Sequence, residues 1–277
     1  MDEQKNVIFL HLVKNGGSTL RDLLDRFYES DEVYTIDSSN TEKFINLPEE
    51  ERKKIKLLKG HLGYGMHKYL VGPSTYFTFL RKPINRIVSF YNYMGGLEDH
   101  PRYEEIHSPG GSFKKFIENS KGPNMHNGQI RNISGIDDRE ELMLEKALEN
   151  IHKHFSFVGF LERFDESLIL LKEIFNWGYP VYARRNKSKA RLITKEGLNR
   201  EEIELIMELN RGDIKLYEMM LKEFDKMIAE KGAGYISKEV NKLQNFNKAY
   251  RLYDFAKRGA RSIGRRIYHV LGKKSGK

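Results

Sequence analysis

The stretch VIFLHLVKNGGSTLRDLL, residues 7–24, passes from a short apolar run into an amphipathic helix through Lys14-Asn15-Gly16-Gly17-Ser18-Thr19. A strand that turns into a helix over two glycines is a building unit of parallel α/β sheets, whose ligands bind outside the carboxyl ends of strands. The helix that starts there offers unpaired amides and a partial positive charge to an anion. Gly16 and Gly17 let the backbone approach such an anion closely. Ser18 and Thr19 add hydroxyl donors, and Lys14 adds a full charge. The stretch reads as a phosphate-type cradle; the plainer reading is a glycine-rich turn with a surface lysine. It is not a Walker A loop, in which the lysine follows the last glycine. GHLGYG at 60–65 carries G-x-x-G-x-G spacing, so it does not match the dinucleotide fingerprint either.

Five further β-rich runs follow, at 33–36, 55–60, 75–80, 156–161 and 180–183, with helical patterns over 18–30, 41–54, 83–94, 138–153 and 162–176. Strands alternating with helices imply a mainly parallel sheet covered on both faces. After residue 195 the pattern is helical only, at 199–209 and 211–230. Residues 95–112, bracketed by Gly-Gly pairs, read as a long loop. A second anion site is expected where the run TYFTFL ends, in LRKPINRIVSFYNY (80–93). Arg81 sits at the strand end, Pro83 suits a first helical turn, and Arg86 and Ser89 follow on the helix. These three polar groups can hold a phosphate, although an arginine at a strand end is as often a salt-bridge partner.

Composition narrows the setting. The 277 residues carry a net charge of +9 and no cysteine, so disulfides and thiolate chemistry are excluded and a reducing cytoplasm is expected. No apolar run approaches the roughly 20 residues that span a bilayer, and MDEQKNVIFLH lacks a signal-peptide pattern. The charge belongs to residues 241–277, with eleven Lys and Arg against Asp254; the remainder holds 37 basic and 38 acidic residues. A near-neutral body argues against a nucleic-acid partner. The chain therefore divides into a body, 1–240, and a basic amphipathic helical tail, 241–277. In the tail Phe246, Tyr250, Tyr253, Ala256, Ala260, Ile263, Ile267 and Val270 recur in steps of three or four. Such a helix suits an anionic membrane surface, which predicts peripheral association at the inner face of the membrane. Packing on the body, or binding a polyanionic glycan, are the alternatives.

Taken together, HLVKNGGSTL resembles the 5′-phosphosulfate loop, and FLRKPINRIVSFY the 3′-phosphate motif, of sulfotransferases that use 3′-phosphoadenosine-5′-phosphosulfate (PAPS). GHLGYGMHKYL (60–70), FVGFLERFDESLILL (157–171) and YARRNKSKARL (182–192) are similar, in order, to the carbohydrate branch that includes heparan sulfate 2-O-sulfotransferase and bacterial relatives. The resemblance runs from about residue 6 to 230, with Lys82 where an acidic residue is common. It implies a P-loop-like sulfotransferase architecture with an α-helical C-terminal part, in-line transfer from PAPS, and adenosine 3′,5′-bisphosphate as product, without a metal. By the same resemblance Lys14 contacts the phosphosulfate bridge, and Asn15, Gly16, Gly17, Ser18 and Thr19 hold the 5′-phosphate. Arg81 and Ser89 clamp the 3′-phosphate, and Lys187 and Ser188 belong to a basic lid over residues 185–191.

Among nine histidines, His61 follows the run IKLLKG and can face the strand-end crevice. It also matches the histidine base of the 2-O-sulfotransferase, and an imidazole suits removal of a hydroxyl proton near neutrality. A buried histidine satisfying loop backbone is the alternative. His11 reads as structural, and His67, His100, His107 and His126 show no metal-ligand spacing. Asn127, Gln129 and Arg131 fall on a helix that either contacts acceptor or nucleotide or is plain surface, and Glu162 is expected in a structural ion pair. The implied acceptor is a hydroxyl on a glycan, a glycolipid or another hydroxylated molecule. Two rivals compete. A nucleotide or small-molecule kinase needs a Walker lysine and carboxylates near the phosphates, yet no Asp or Glu occurs between residues 4 and 21. A non-enzymatic membrane or nucleic-acid binding module leaves the two anion motifs without a purpose.

Overall fold

A computed structural model describes residues 5–37, 39–120, 122, 124–183 and 192–251. Strand β1 (Asn6–Leu10) is buried along its whole length, as an apolar run in the middle of a parallel sheet must be. It leads into α1 (Gly17–Leu24), then β2 (Val33–Ile36), α2 (Thr41–Ile45), α3 (Glu49–Arg52), β3 (Leu57–Gly60) and β4 (Ser74–Leu80). Helices α4 (Pro83–Met94), α5 (Pro101–His107), α6 (Phe113–Glu118), α7 (Gly128–Ser134) and α8 (Glu140–His154) precede β5 (Phe155–Phe160). The chain continues through α9 (Phe164–Phe175), α10 (Arg200–Leu209), α11 (Arg211–Lys231) and a further helix over 233–251.

The five strands are all parallel in the order β2-β3-β1-β4-β5. The connection leaving β1 runs toward β2 and the one leaving β4 toward β5, so the crevice at their carboxyl ends lies between β1 and β4. Register pairs such as Leu10 with Gly60 and Phe9 with Phe77 align those ends. One apolar core joins the sheet to α1, α8, α9 and α11, while a second packs α4, α6 and α10 around Ile87, Phe116 and Ile206.

Most expected elements stand within a residue or two of their predicted bounds, and α4 matches 83–94 because Pro83 occupies its first turn. Four readings need correction. The helix expected over 41–54 is two short ones, because Pro48 cannot continue a helix and draws Leu47 out of the helical region. The helix expected over 18–30 stops at Leu24, after which Phe27 stacks on Trp177 at 4.9 Å. Residues 95–112 contain α5, which His100 caps by accepting a bond from the Arg102 amide at 3.2 Å. Residues 180–183 form no strand, and the Val181 amide donates back to the Tyr179 carbonyl at 2.8 Å. Side chains satisfy other groups of this backbone: the Tyr182 amide donates to Asn247 Oδ1 at 2.7 Å, and the Val181 carbonyl accepts from Arg26. Residue 240, the expected boundary of the body, falls inside the helix over 233–251, where Leu243 and Asn247 are buried. The rest of the expected amphipathic stripe, from Tyr253, lies outside the described residues. Among the described residues no helix is long and apolar enough to cross a membrane.

Candidate active site

The cradle begins where β1 ends. The Asn15 amide closes a tight turn onto the Leu12 carbonyl at 3.2 Å with Lys14 at φ +69°, and Gly16, just past the turn, stands at φ +81°. Glycine bears that conformation without penalty, whereas Lys14 pays for it with backbone strain. Gly17 has a different reason to be bare: a Cβ there would sit 1.6 Å from His11 Nε2. Helix α1 then starts with neither a side-chain N-cap bond nor an acidic residue in its first turn. Its positive end therefore points into the crevice without an internal counter-charge. Asn15 turns inward and is almost completely buried, its Nδ2 donating to the Phe79 carbonyl of β4 at 2.6 Å and to Gln129 Oε1 at 2.8 Å.

The loop after β4 meets the cradle directly. Arg81 Nη1 donates to the Lys14 carbonyl at 2.9 Å, so the two anion motifs read from sequence share one crevice. Glu162 steadies the start of α4 by accepting from the Lys82 amide and Asn85 Nδ2, each at 3.0 Å, and from the Tyr217 hydroxyl at 3.2 Å. Among the described residues it is a helix-terminus acceptor, and no ion-pair partner of the kind expected lies within reach. Ser89 lies half-buried on α4. Arg86, expected beside Arg81 and Ser89, is instead 2 % exposed, its guanidinium 3.4 Å from Asp213 and 2.6 Å from the Asn124 carbonyl. Lys187 and Ser188 lie outside the described residues.

His61 follows the last residue of β3, next to β1, and although the residue is exposed overall, its ring is partly covered by that of His11, with centroids 4.2 Å apart. Burial, then Arg21, hold its imidazole below the ordinary histidine value, against the opposing pull of a bond to the His11 backbone. His11 is buried, and desolvation followed by the neighbouring His61, Arg21 and Lys14 lowers it to about 3. Lys14 is lowered to about 8 by desolvation and then by Arg81, and its ammonium rests 3.9 Å from the centre of the Tyr93 ring. Desolvation first, and neighbouring cations second, lower Lys14 and His61 here, a setting that a bound anion would relieve. Among the described residues no three His, Asp or Glu side chains converge to hold a metal ion. A cleft of about 210 Å³ borders the flank of α1, lined by Thr19, Asp22, Arg26, Tyr182 and Tyr250.

Sequence reasoning missed the network beneath the crevice. Gln129 is neither a surface nor a ligand-facing residue, as its side chain is fully buried between Asn15 and Arg81. Asn127 and Asp213 cap each other's helices: Asp213 accepts from the Gln129 and Ile130 amides that open α7, at 3.0 and 2.8 Å, while Asn127 Oδ1 accepts from the Asp213 amide that opens α11, at 3.0 Å. Arg131 pairs with Asp137. The only local signal for this network is the cap-type residue Asn127 before Gly128.

A family model described as Galactose-3-O-sulfotransferase matches residues 1–261. Galactose-3-O-sulfotransferase 2 of Sus scrofa is 23% identical over 269 residues, covering 86% of this chain and 66% of the relative. Galactosylceramide sulfotransferase of Bos taurus is 24% identical over 287 residues, covering 90% of this chain and 63% of the relative. The chain thus spans somewhat less than two thirds of the length of the curated relatives it matches. Among solved structures, mouse sulfotransferase SULT7A1 complexed with PAP aligns with a TM-score of 0.38 and 15% identity, covering 74% of this chain and 63% of that one.

Proposed function

This chain belongs to the galactose-3-O-sulfotransferase family, and from that premise we propose that it transfers a sulfuryl group from PAPS to a sugar hydroxyl, on a galactose-bearing glycan or glycolipid. The carbohydrate sulfotransferase resemblance carries through, with the galactose 3-O branch in place of the heparan sulfate 2-O branch. The observation that carries the reading is the convergence of Lys14, Arg81 and His61 at the carboxyl ends of β1, β4 and β3, where burial and neighbouring cations lower both Lys14 and His61.

Those residues fit an anionic nucleotide. The α1 terminus and Lys14 suit a 5′-phosphosulfate, and Arg81 suits a 3′-phosphate. PAPS supplies the sulfuryl group and a stable leaving bisphosphate. In that step the bond from sulfur to the bridging phosphate oxygen breaks as one to the acceptor oxygen forms. Lys14 neutralises charge that grows on the departing phosphate. His61, whose imidazole burial and Arg21 hold below the ordinary histidine value, takes the acceptor's proton. Calorimetry with adenosine 3′,5′-bisphosphate and transfer of labelled sulfate from PAPS to galactosides and galactosylceramide test this. Binding without added metal, and label on a galactose hydroxyl, are expected; no nucleotide binding would overturn the reading.

A further inference from the structure

We propose that Gln129 is a positioning residue, which holds the cradle loop and the Arg81 loop at the separation that a two-phosphate nucleotide requires. This rests on the PAPS reading above. The sheet alone does not set that separation. The β1–β4 ladder ends at Phe9 and Phe77 and the β4–β5 ladder at Leu80 and Phe160, so Arg81 lies past both. Beyond the ladder, the Gln129 carboxamide takes the place of a neighbouring strand. Its Oε1 accepts from the Arg81 amide at 3.0 Å, and its Nε2 donates to the Arg81 carbonyl at 3.1 Å. The same Oε1 accepts from Asn15 Nδ2 at 2.8 Å. One amide therefore grips the backbone that carries Arg81 and the side chain that anchors the Lys14–Gly17 turn.

The grip is rooted in the helical layer. The Gln129 backbone amide donates to Asp213 of α11, and Asp213 pairs with Arg86 of α4, the helix that starts just after Arg81. With its side chain 0 % exposed, Gln129 touches no ligand. Only a neutral side chain with both a donor and an acceptor satisfies this site, since Arg81 presents one of each and Asn15 presents a donor. A gap fixed in advance favours a ligand that engages both loops at once, because neither loop has to be ordered on binding.

The experiment compares two-phosphate with one-phosphate ligands on the full chain. Gln129→Met keeps side-chain length and approximate volume but removes the amide. Gln129→Asn keeps the amide one methylene short, and serves if the first variant does not fold. Calorimetry is run with adenosine 3′,5′-bisphosphate, adenosine 5′-phosphate and adenosine 3′-phosphate. A folded variant is expected to lose about tenfold or more in bisphosphate affinity, ~1.4 kcal/mol, while each monophosphate stays within about threefold of the unsubstituted protein. Unchanged bisphosphate affinity overturns the inference, as does an equal loss for all three nucleotides, which marks a merely structural role. If the unsubstituted protein does not bind the bisphosphate, the PAPS reading itself has failed, and this inference falls with it.

Discussion

Lys14 bears two unfavourable terms, a left-handed backbone and a desolvated ammonium beside Arg81. In the proposed role both would favour an anion, because among the described residues the Lys14 ammonium has no salt-bridge partner. Lys14→Ala should therefore lower turnover by about 10²–10³, with a smaller loss of nucleotide affinity measured by calorimetry. The pH profile of kcat/KM reports the free enzyme. Its acid limb should lie below the ordinary histidine value, since the proposed base, His61, is held low and would act when neutral. Its alkaline limb should lie near 8, where Lys14 loses its charge, and in Lys14→Arg that limb should move up beyond the measured range. His61→Ala should reduce transfer by about 10²–10⁴ and leave nucleotide binding intact; a surviving rate would assign the base elsewhere. His11 makes a separate prediction about stability. The unfolded chain takes up its proton near 6.5, the folded one only near 3. Stability is then whole above about 6.5 and falls as pH drops from there toward 3, by on the order of 2 kcal/mol at pH 5. Melting temperatures at pH 7.5 and 5.0 should differ less in His11→Gln than in the unsubstituted protein.

At the scale of elements, the site depends on helices that are capped by one another rather than by their own flanks. Asn127 has φ +49° and makes no cap bond to α7, although it directly precedes that helix. Asp213 caps α7 from α11, and Asn127 returns the bond. Two positive helix ends thus face each other across one carboxylate, which is buried with Arg86. Breaking such a pair strands a buried charge, so Asp213→Ala should cost about 3–5 kcal/mol in urea unfolding at pH 7. Asn127→Ala should cost about 1 kcal/mol. If Asp213→Ala unfolds at the same urea concentration as the unsubstituted protein, the reciprocal caps carry little of the stability. Helices α4 and α10 were legible because proline, capping residues and apolar spacing act within a turn or two; α10 indeed shows a capping box between Asn199 and Glu202. Residues 180–183 were misread for the complementary reason. A β-type apolar pattern tells only that a segment is half-buried, not whether another strand lies beside it.

Across the whole molecule, the helix over 233–251 closes the body against the segment that leads out of α9. Leu243 is fully buried, Asn247 accepts from the Tyr182 amide, Gln244 Nε2 donates to Asp165 at 3.0 Å, and Tyr250 lies under Arg26. A chain ending at residue 240 should melt below one ending at 251. It loses the burial of a leucine, about 1.5–3 kcal/mol, and a net hydrogen bond of about 1 kcal/mol. Equal melting temperatures would put the edge of the body at 240. The sequence by itself determined the parallel α/β class, the strand-turn-helix cradle at Lys14, the start of α4 at Pro83 and the placing of Arg81 and His61 at strand ends. Those features follow from local rules: side-chain period, glycine and proline geometry, and the direction of strands in a parallel sheet. Only the tertiary structure decided that Arg86 turns inward, that Gln129 joins the two anion loops, and that Asp213, 84 positions beyond Gln129, caps its helix. Buried polar groups take whichever partner packing brings within reach, and that choice leaves no trace in the spacing of neighbours along the chain.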